Sequence, residues 1–215
     1  MEAHRGQAKS GRPIYDRFAW YYDAILRPLE SRFLKRLRAR TLSALPAEGR
    51  LLEVGAGTGL NFPFYPRAAR VAASEPSREM LKKAVVKERP CTVSLVQNFA
   101  ESLPFPDDSF DAAFATLVFC SVADPARCFL ELRRVVRPDG KIFLLEHVRP
   151  EGRLLGPIFD ALSLFTVALF EDHFNRRTSE EAERAGLLLV RREPLALGVI
   201  NIIELRNGPK SGVAS

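Results

Sequence analysis

The feature that most constrains the fold of this chain is a strand-like run that leads into a loop with glycine at every second position. Residues 51–59 read LLEVGAGTG, so an apolar run interrupted only by Glu53 is followed at once by Gly55, Gly57 and Gly59. Loops of this kind follow the first strand of a parallel α/β sheet, where a bare backbone can approach a ligand closely. The segment therefore predicts a sheet whose first strand ends at a cofactor site.

The glycine spacing argues against a dinucleotide. A dinucleotide-binding loop has glycines at the spacing G-x-G-x-x-G, whereas here the third glycine comes one position early and position 60 is Leu. Glu53 places a carboxylate just before the loop, where it would repel a pyrophosphate and stabilise an ammonium group. The loop thus favours a zwitterionic or cationic ligand without phosphate, and S-adenosylmethionine has that chemistry.

The rest of the chain alternates strand-like and helix-like segments. We expect an α/β fold: a Rossmann-like, doubly wound sheet of about seven strands, mostly parallel with an antiparallel C-terminal strand, and helices on both faces. The predicted strands are 50–54, 70–75, 92–97, 110–117, 141–147, 187–193 and 198–206. The predicted helices are 15–44, 77–88, 125–137, 154–170 and 178–185. A turn-helix is predicted at 58–66 and a turn at 137–140.

Composition narrows the class of protein. With 215 residues, of which 47% are hydrophobic, the chain can bury one sizeable core. The net charge of +6 is spread along the sequence without zinc-finger spacing or an aromatic-interleaved basic ribbon, so a nucleic-acid partner is not expected. Three irregularly spaced cysteines predict neither a disulfide framework nor a metal site, and they favour a reducing, cytoplasmic location.

Two segments bear on membranes. Leu29, Phe33, Leu34 and Leu37 recur at helical spacing with basic residues between them, which predicts a core stripe below a solvated basic face. The basic residues are Arg32, Lys35, Arg36, Arg38 and Arg40. Residues 154–170 are almost wholly apolar but short for a membrane span. We expect a buried helix or lid wall there, and contact with the inner membrane surface stays open.

A second acidic residue ends the second predicted strand. Glu75 lies twenty positions after Gly55, and a carboxylate there can accept hydrogen bonds from both hydroxyls of a ribose. The alternative is a helix N-terminal acid, because Pro76 and Ser77 begin a helix. The preceding glycine loop favours the ribose role.

Four segments together resemble the class I S-adenosylmethionine-dependent methyltransferases of the methyltransferase-11 type. These segments are 53–59, 74–81, 98–111 and 134–140, and the resemblance covers residues 45–150. It implies that Gly55 and Gly57 pack against the methionine portion, that Glu75 binds the ribose and that residues 98–101 flank the adenine. The full predicted cofactor-binding set is Tyr15, Tyr22, Glu53, Gly55, Ala56, Gly57, Thr58, Gly59, Glu75, Pro76, Met80, Asn98, Phe99, Ala100, Glu101, Thr116 and Leu117.

One position departs from the pattern of that family. Many relatives carry Asp where this chain has Phe99, and Phe cannot accept a hydrogen bond from the adenine amino group. Two alternatives stay open: the backbone N–H of Ala100 holds the adenine while Phe99 or Met80 packs on the ring, or Glu101 replaces the missing Asp.

Further segments resemble narrower groups. Residues 59–63, 116–122, 145–148 and 175–178 are similar to the methyltransferase-like subgroup that includes the mammalian alkyl thiol methyltransferases. Residues 15–23 resemble the start of ubiquinone/menaquinone C-methyltransferases and bacterial phosphatidylethanolamine N-methyltransferases. By that analogy one domain is expected, with a helical lid (1–45), a cofactor-binding core (46–150), and acceptor-pocket helices and closing strands (151–215).

The resemblance implies methyl transfer to a small-molecule or lipid acceptor. Because segment 154–170 is apolar, we expect that acceptor to be lipophilic. The acceptor pocket is expected from residues 15–30, 117–122 and 147–178. Candidate catalytic residues are His147, which ends the fifth strand beside Glu146, and Tyr22 in the lid. S- or N-methylation, phosphatidylethanolamine N-methylation, quinone-ring C-methylation and an inactive partner protein with a cofactor fold all stay open.

Overall fold

The computed structural model describes residues 33–147 and 178–209, in which helices and strands alternate. The helices of this part of the chain are α1 (Lys35–Leu42), α2 (Arg78–Val85), α3 (Pro125–Val135) and α4 (Thr178–Arg184), with short 3₁₀ turns at Phe62–Phe64 and Ala196–Gly198. The strands are β1 (Glu48–Val54), β2 (Ala68–Glu75), β3 (Thr92–Gln97), β4 (Phe110–Thr116), β5 (Val136–His147), β6 (Leu187–Leu195) and β7 (Ile200–Asn207).

The strands form one seven-stranded sheet in the order β3-β2-β1-β4-β5-β7-β6. Strands β1 to β5 pair in parallel, and β7 is antiparallel to both of its neighbours. The strand order reverses between β1 and β4, and ligands of such sheets bind at the carboxyl ends of the strands beside this switch point. The predicted Rossmann-like sheet with an antiparallel C-terminal strand is confirmed.

Helices cover both faces of this sheet. Leu51 and Leu52 are consecutive in β1, so their side chains point to opposite faces. Leu52 belongs to a buried cluster with Phe129 of α3 and Ala182 of α4. Leu51 belongs to another buried cluster that includes residues of α1 and α2. The doubly wound arrangement follows from this pairing of one strand with helices on its two sides.

The turn-helix predicted over 58–66 is confirmed as a turn, but its helix is only a single 3₁₀ turn. After the glycine loop the chain makes turns, and the only helical piece there is the 3₁₀ turn Phe62–Phe64. Pro63 and Pro66 explain the difference, because proline lacks an N–H donor and forces the residue before it toward extended backbone. Tyr65 accordingly has φ −66° and ψ 142°.

The basic face predicted for the first helices is wrong at one position that matters for the site. Arg38 of α1 is only 5% exposed, whereas Phe33, predicted in the core stripe, is 45% exposed. Leu34 and Leu37 do pack as predicted, in a cluster with Leu145. Helix α1 therefore packs against the sheet with an arginine directed inward, although its residues fall within the segment predicted as a lid.

The predicted turn at 137–140 lies inside β5 as an irregularity. The register with β4 jumps from the pair Phe110 and Val136 to the pair Ala112 and Lys141, and Asp139 has a φ of 62°. Of the other predicted elements, residues 15–32 and the apolar helix 154–170 lie outside the described residues. In the described ranges, no helix is long and apolar enough to cross a membrane.

Candidate cofactor and acceptor site

The glycine loop lies at the carboxyl end of β1, at the switch point of the sheet. Its glycines all have left-handed backbone, with φ of 70° at Gly55, 55° at Gly57 and 82° at Gly59. The N–H of Ala56 donates to the carbonyl of Ser74 at 2.9 Å, and the N–H of Gly59 donates to the carbonyl of Ala56 at 2.9 Å. These N–H groups already have protein acceptors, which distinguishes the loop from one that offers its amides to a pyrophosphate.

The loop leaves room for a ligand at Gly57. Among the described residues, and apart from the chain neighbours of Gly57, no heavy atom lies within 4 Å of a Cβ built on Gly57, whereas a Cβ on Gly55 would lie 2.4 Å from Cγ2 of Val118. The left-handed backbone favours glycine at position 57, and no described residue fills the space in front of it. Glycine at position 55 is required also by the close approach of the chain that follows β4.

Glu75 ends β2 with its carboxylate turned toward the glycine loop. Its Oε2 accepts the N–H of Gly57 and its Oε1 accepts the N–H of Ser77, both at 2.9 Å. The residue is 6% exposed. These two hydrogen bonds orient the Glu75 carboxylate toward the glycine loop. The ribose role stays a prediction, and the helix-start role is present as well, because Ser77 caps α2.

Glu53 lies at the centre of a buried polar network below the loop. One of its oxygens accepts the Nδ2 donor of Asn61 at 2.5 Å, and the other accepts the hydroxyl of Tyr65. Asn61 also donates to Oγ1 of Thr116 at 2.9 Å, and Arg38 donates to the Oδ1 of Asn61 at 3.1 Å and to Thr116. This network joins α1, β1, the turn after the glycine loop, and β4.

Burial controls the charge of this network. Glu53 is fully buried, and that desolvation raises the pKa of its carboxyl from 4.5 to about 7, despite the hydrogen bonds from Tyr65 and Asn61 and the charge of Arg38. Desolvation and the neighbouring Glu53 also hold the pKa of the Tyr65 phenol well above 10. The sequence-based prediction that the Glu53 carboxylate meets an ammonium directly stays a prediction, since both oxygens already accept protein donors.

The predicted adenine side lies at the end of β3 and the start of α2. Phe99 is 54% exposed, so its ring is available for packing on a ligand, whereas Met80 is almost wholly buried. Oε1 of Glu101 accepts the N–H groups of Ala123 and Asp124 at 3.0 and 3.3 Å. Pro76 is joined to β3 by a 3.1 Å hydrogen bond from Gln97 to its carbonyl. Among the open alternatives, the exposed ring of Phe99 fits packing on adenine better than Met80 does.

The predicted contacts at the end of β4 divide into two roles. The hydroxyl of Thr116 is turned into the Glu53 network. Leu117 has a φ of 58° and begins a turn whose next residues are bound by Glu146 of β5. Val118 of this turn lies against Gly55 of the glycine loop, and Leu117 packs against the cluster of Leu34, Leu37 and Leu145. The cofactor contacts of Thr116 and Leu117 stay a prediction.

Three predicted residues remain without a described side chain. Tyr15 and Tyr22 lie outside the described residues. For His147 the structure describes the backbone, which pairs with Ile200 in the sheet. Over residues 33–147 and 178–209, no group of three or more His, Cys, Asp or Glu side chains could hold a metal ion.

The sequence analysis did not identify the residues that hydrogen-bond Glu53 or hold the turn after β4. Arg38, Asn61 and Tyr65 surround Glu53, and Glu146 anchors the turn after β4. Asn61 and Glu146 both lie in segments that carried the family resemblance, which was the available indication. The sequence contains no indication that Arg38 is buried, since a basic residue in a helix rich in arginine is expected in solvent.

A family model described as a methyltransferase domain matches residues 52–144. The chain is 33% identical over 160 residues to the ubiquinone/menaquinone biosynthesis C-methyltransferase UbiE of Syntrophotalea carbinolica, a match that covers 71% of this chain and 67% of that protein. The chain therefore belongs to the S-adenosylmethionine-dependent methyltransferases that carry this domain. S-adenosylmethionine is the cofactor of the family, and an open glycine loop beside a fixed carboxylate fits it.

Other similarities are to proteins with different acceptors. The chain is 33% identical over 148 residues to the human thiol S-methyltransferase TMT1B, which covers 64% of this chain and 61% of that protein. It is 34% identical over 133 residues to the phosphatidylethanolamine N-methyltransferase of Cereibacter sphaeroides, covering 60% and 66%. The chain thus spans less than two thirds of the length of the thiol methyltransferases it matches.

Solved structures show the same fold. A chain in the complex between the Haloferax volcanii Trm112 methyltransferase activator and a methyltransferase superposes with a TM-score of 0.72 at 17% identity. The match covers 93% of this chain and 100% of that one. At this identity the similarity shows the fold alone.

Proposed function

We propose that this protein transfers the methyl group of S-adenosylmethionine to a small, lipophilic acceptor, by S- or N-methylation. The observation that carries the proposal is the donor side of the site: a glycine loop with open space at Gly57 and a carboxylate, Glu75, fixed beside it by two backbone N–H groups. The loop amides of Ala56 and Gly59 are used within the protein. That arrangement suits a ligand without phosphate.

Methyl transfer depends more on the alignment of the acceptor with the methyl group than on proton transfer by the protein. Bound S-adenosylmethionine supplies a methyl group on a sulfonium, which is already a good leaving group for in-line displacement. The chain must align an acceptor with that methyl and keep water away. Val118 packs directly against Gly55, so the turn after β4 provides an apolar wall where donor and acceptor sides meet.

The need for a base depends on the acceptor. A thiol has a pKa near 8.5 and is partly ionised at neutral pH, so it needs only a modest shift toward the thiolate. An amine must lose a proton, and a carbon acid needs a dedicated base. His147 and Tyr22 are the proposed groups for that step. A thiol acceptor makes the smallest demand on the described site, and the similarity to thiol S-methyltransferases favours it.

A methyl-transfer screen tests the proposal. The protein is incubated with S-adenosylmethionine that carries a radiolabelled methyl group and with lipophilic thiols, phosphatidylethanolamine vesicles and quinols in parallel. We expect label in the thiol extract, and less label with Glu75→Ala when S-adenosylmethionine is limiting. Cofactor binding without transfer to any of the three acceptors would contradict the proposed activity and favour an inactive partner protein.

Phosphatidylethanolamine N-methylation is the second candidate. It is supported by the 34% identity to an enzyme of that name and by the net charge of +6, which would favour an anionic membrane surface. Under this alternative the protein would sediment with anionic liposomes at low salt and be released at high salt. Label in the lipid and not in the thiol would replace the first proposal with this one.

A further inference from the structure

A carboxylate at the end of β5 holds the turn that follows β4. Glu146 is completely buried, and its two oxygens accept backbone N–H groups of consecutive residues: Oε1 accepts from Val118 at 3.0 Å and Oε2 from Phe119 at 3.2 Å. Strands β4 and β5 are parallel neighbours in which Thr116 pairs with Leu145. Glu146 therefore stands at the same edge of the sheet as the start of the turn it binds.

The turn begins with an unfavourable backbone conformation. Leu117 has a φ of 58°, in the left-handed region that residues other than glycine rarely adopt and that is frequent at functional sites. Its N–H donates to the carbonyl of Leu145 at 2.7 Å. The hydrogen bonds to Glu146 involve the next two residues, so β5 constrains three consecutive N–H groups in the turn. Such a conformation persists only where its surroundings determine it.

This conformation brings the turn against the glycine loop. A Cβ on Gly55 would lie 2.4 Å from one methyl of Val118 and 2.9 Å from the other. The turn is closed behind Val118 by the N–H of Ser121, which donates to the Val118 carbonyl at 3.0 Å. Phe119 is anchored on the opposite side, stacked on Phe129 of α3 with ring centroids 4.3 Å apart.

From these contacts we infer that Glu146 is a positioning residue for methyl transfer: it fixes Leu117, Val118 and Phe119 so that Val118 closes the acceptor side against Gly55. The inference rests on the proposed function and adds a specific role to it. Glu146 does not touch the reacting atoms in this account. It sets the distance between the apolar wall and the loop that holds the methyl donor.

Glu146→Gln is the test variant, because glutamine keeps the size of the side chain and loses one acceptor. Its amide nitrogen would face a backbone N–H, so one of the two hydrogen bonds to the turn is lost. Since small misplacements near reacting groups are costly, we expect kcat to fall by about ten- to a hundredfold. The Kd for S-adenosylmethionine should change by less than about threefold, because its own binding residues are intact.

Glu131→Gln is the matched control. Glu131 is also a buried carboxylate that accepts a backbone N–H, that of Leu103 at 2.8 Å, and it binds Arg134, so these two partners lie outside the turn after β4. This variant should lower the unfolding midpoint while it leaves kcat within about twofold. It separates the loss of a buried carboxylate from the loss of this particular one.

A second readout needs neither cofactor nor acceptor. Amide hydrogen exchange at Val118 and Phe119, followed by NMR, should become faster in Glu146→Gln and stay unchanged in Glu131→Gln. Unchanged exchange, or a kcat equal to that of the unsubstituted protein, overturns the inference. Parallel losses of stability, cofactor affinity and kcat also overturn it, because they indicate a merely structural residue. If the unsubstituted protein itself transfers no methyl group, the proposed function fails, and the exchange data still decide whether Glu146 anchors the turn.

Discussion

The donor and acceptor sides of the site are built in different ways. The donor side consists of a glycine loop joined to the neighbouring strand β2 by the hydrogen bond from Ala56 to Ser74 and by Glu75. The described acceptor side is a turn that starts with a left-handed leucine and is bound by a carboxylate from β5. The glycine loop can be read in the sequence and binds a carboxylate 18 positions away, whereas the turn has no glycine pattern and depends on residues that are 27 and 28 positions apart.

This difference between the two sides indicates where the sequence can vary within the family. Changing the donor side would disturb three consecutive alternate positions whose left-handed backbone favours glycine. The acceptor side has one such position, Leu117, and the relatives of this chain are named for thiol, phospholipid and quinone acceptors.

The largest expected effect tests whether the two sides are in contact. Gly55→Ala adds a methyl group at a φ of 70° and within 2.4 Å of Val118. Left-handed strain and overpacking together should lower the free energy of unfolding by about 2–4 kcal/mol. The measurement is urea unfolding at equilibrium.

Two further variants separate the causes. Gly198→Ala has the same kind of backbone, with a φ of 83°, but among the described residues only its chain neighbours lie within 4 Å of the added Cβ, so it reports strain. Val118→Ala combined with Gly55→Ala should cost less than the sum of the single variants, because the clash is relieved. Additive costs would mean that the donor and acceptor sides do not touch.

The second prediction concerns the support of the donor side and depends on pH. Burial raises the pKa of Glu53 to about 7, so the folded state holds this proton more tightly than the unfolded state. The stabilisation by the proton is complete below about pH 4.5 and is lost as the pH rises to about 7, for a total of at most about 3 kcal/mol. Unfolding free energies measured from pH 4 to pH 8 should show this decline.

Glu53→Gln isolates this contribution, because glutamine carries no titrating proton. The decline over this pH range should be smaller in Glu53→Gln than in the unsubstituted protein, and Glu79→Gln, with a half-exposed side chain on α2, should behave like the latter. Identical pH profiles for all three proteins would show that Glu53 stays ionised in the folded state. The network would then provide a permanent negative charge below the loop.

The smallest effect concerns the carboxylate of the donor side. Glu75→Ala should weaken the binding of S-adenosylmethionine by about 1–3 kcal/mol, as expected when ribose hydroxyls lose a charged acceptor. Glu79→Ala is the control in the following helix. Unchanged cofactor affinity in Glu75→Ala would leave Glu75 as an anchor for the N–H groups of Gly57 and Ser77 only.

Most of the fold could be predicted from the sequence, because strands, helices and the glycine loop each have a local residue pattern. The apolar run before Gly55, the acid at the end of β2 and the alternation of strands and helices follow from periodicity and from the glycine loop. The turn-helix predicted over 58–66 contains only a short 3₁₀ helix, because Pro66 places the residue before it, Tyr65, in extended backbone.

The support of the site could not be predicted because it is made by long-range contacts. Arg38 meets Thr116 across 78 positions of the chain, and Glu53 finds its partners only after the turn at residues 61–65 has formed. Sequence periodicity placed Arg38 in solvent, and only the folded chain shows acceptors that make its burial tolerable. Glu146 lies in a segment of the family resemblance, but the backbone N–H groups of Val118 and Phe119 that it accepts have no signature in the sequence.

The most direct test of the central claim is a calorimetric titration of the protein with S-adenosylmethionine, and in parallel with a nicotinamide dinucleotide. The open loop at Gly57, its protein-bound amides and the fixed carboxylate of Glu75 predict saturable binding of S-adenosylmethionine and no binding of the dinucleotide. Absence of binding at millimolar S-adenosylmethionine, or tighter binding of the dinucleotide, would contradict the account.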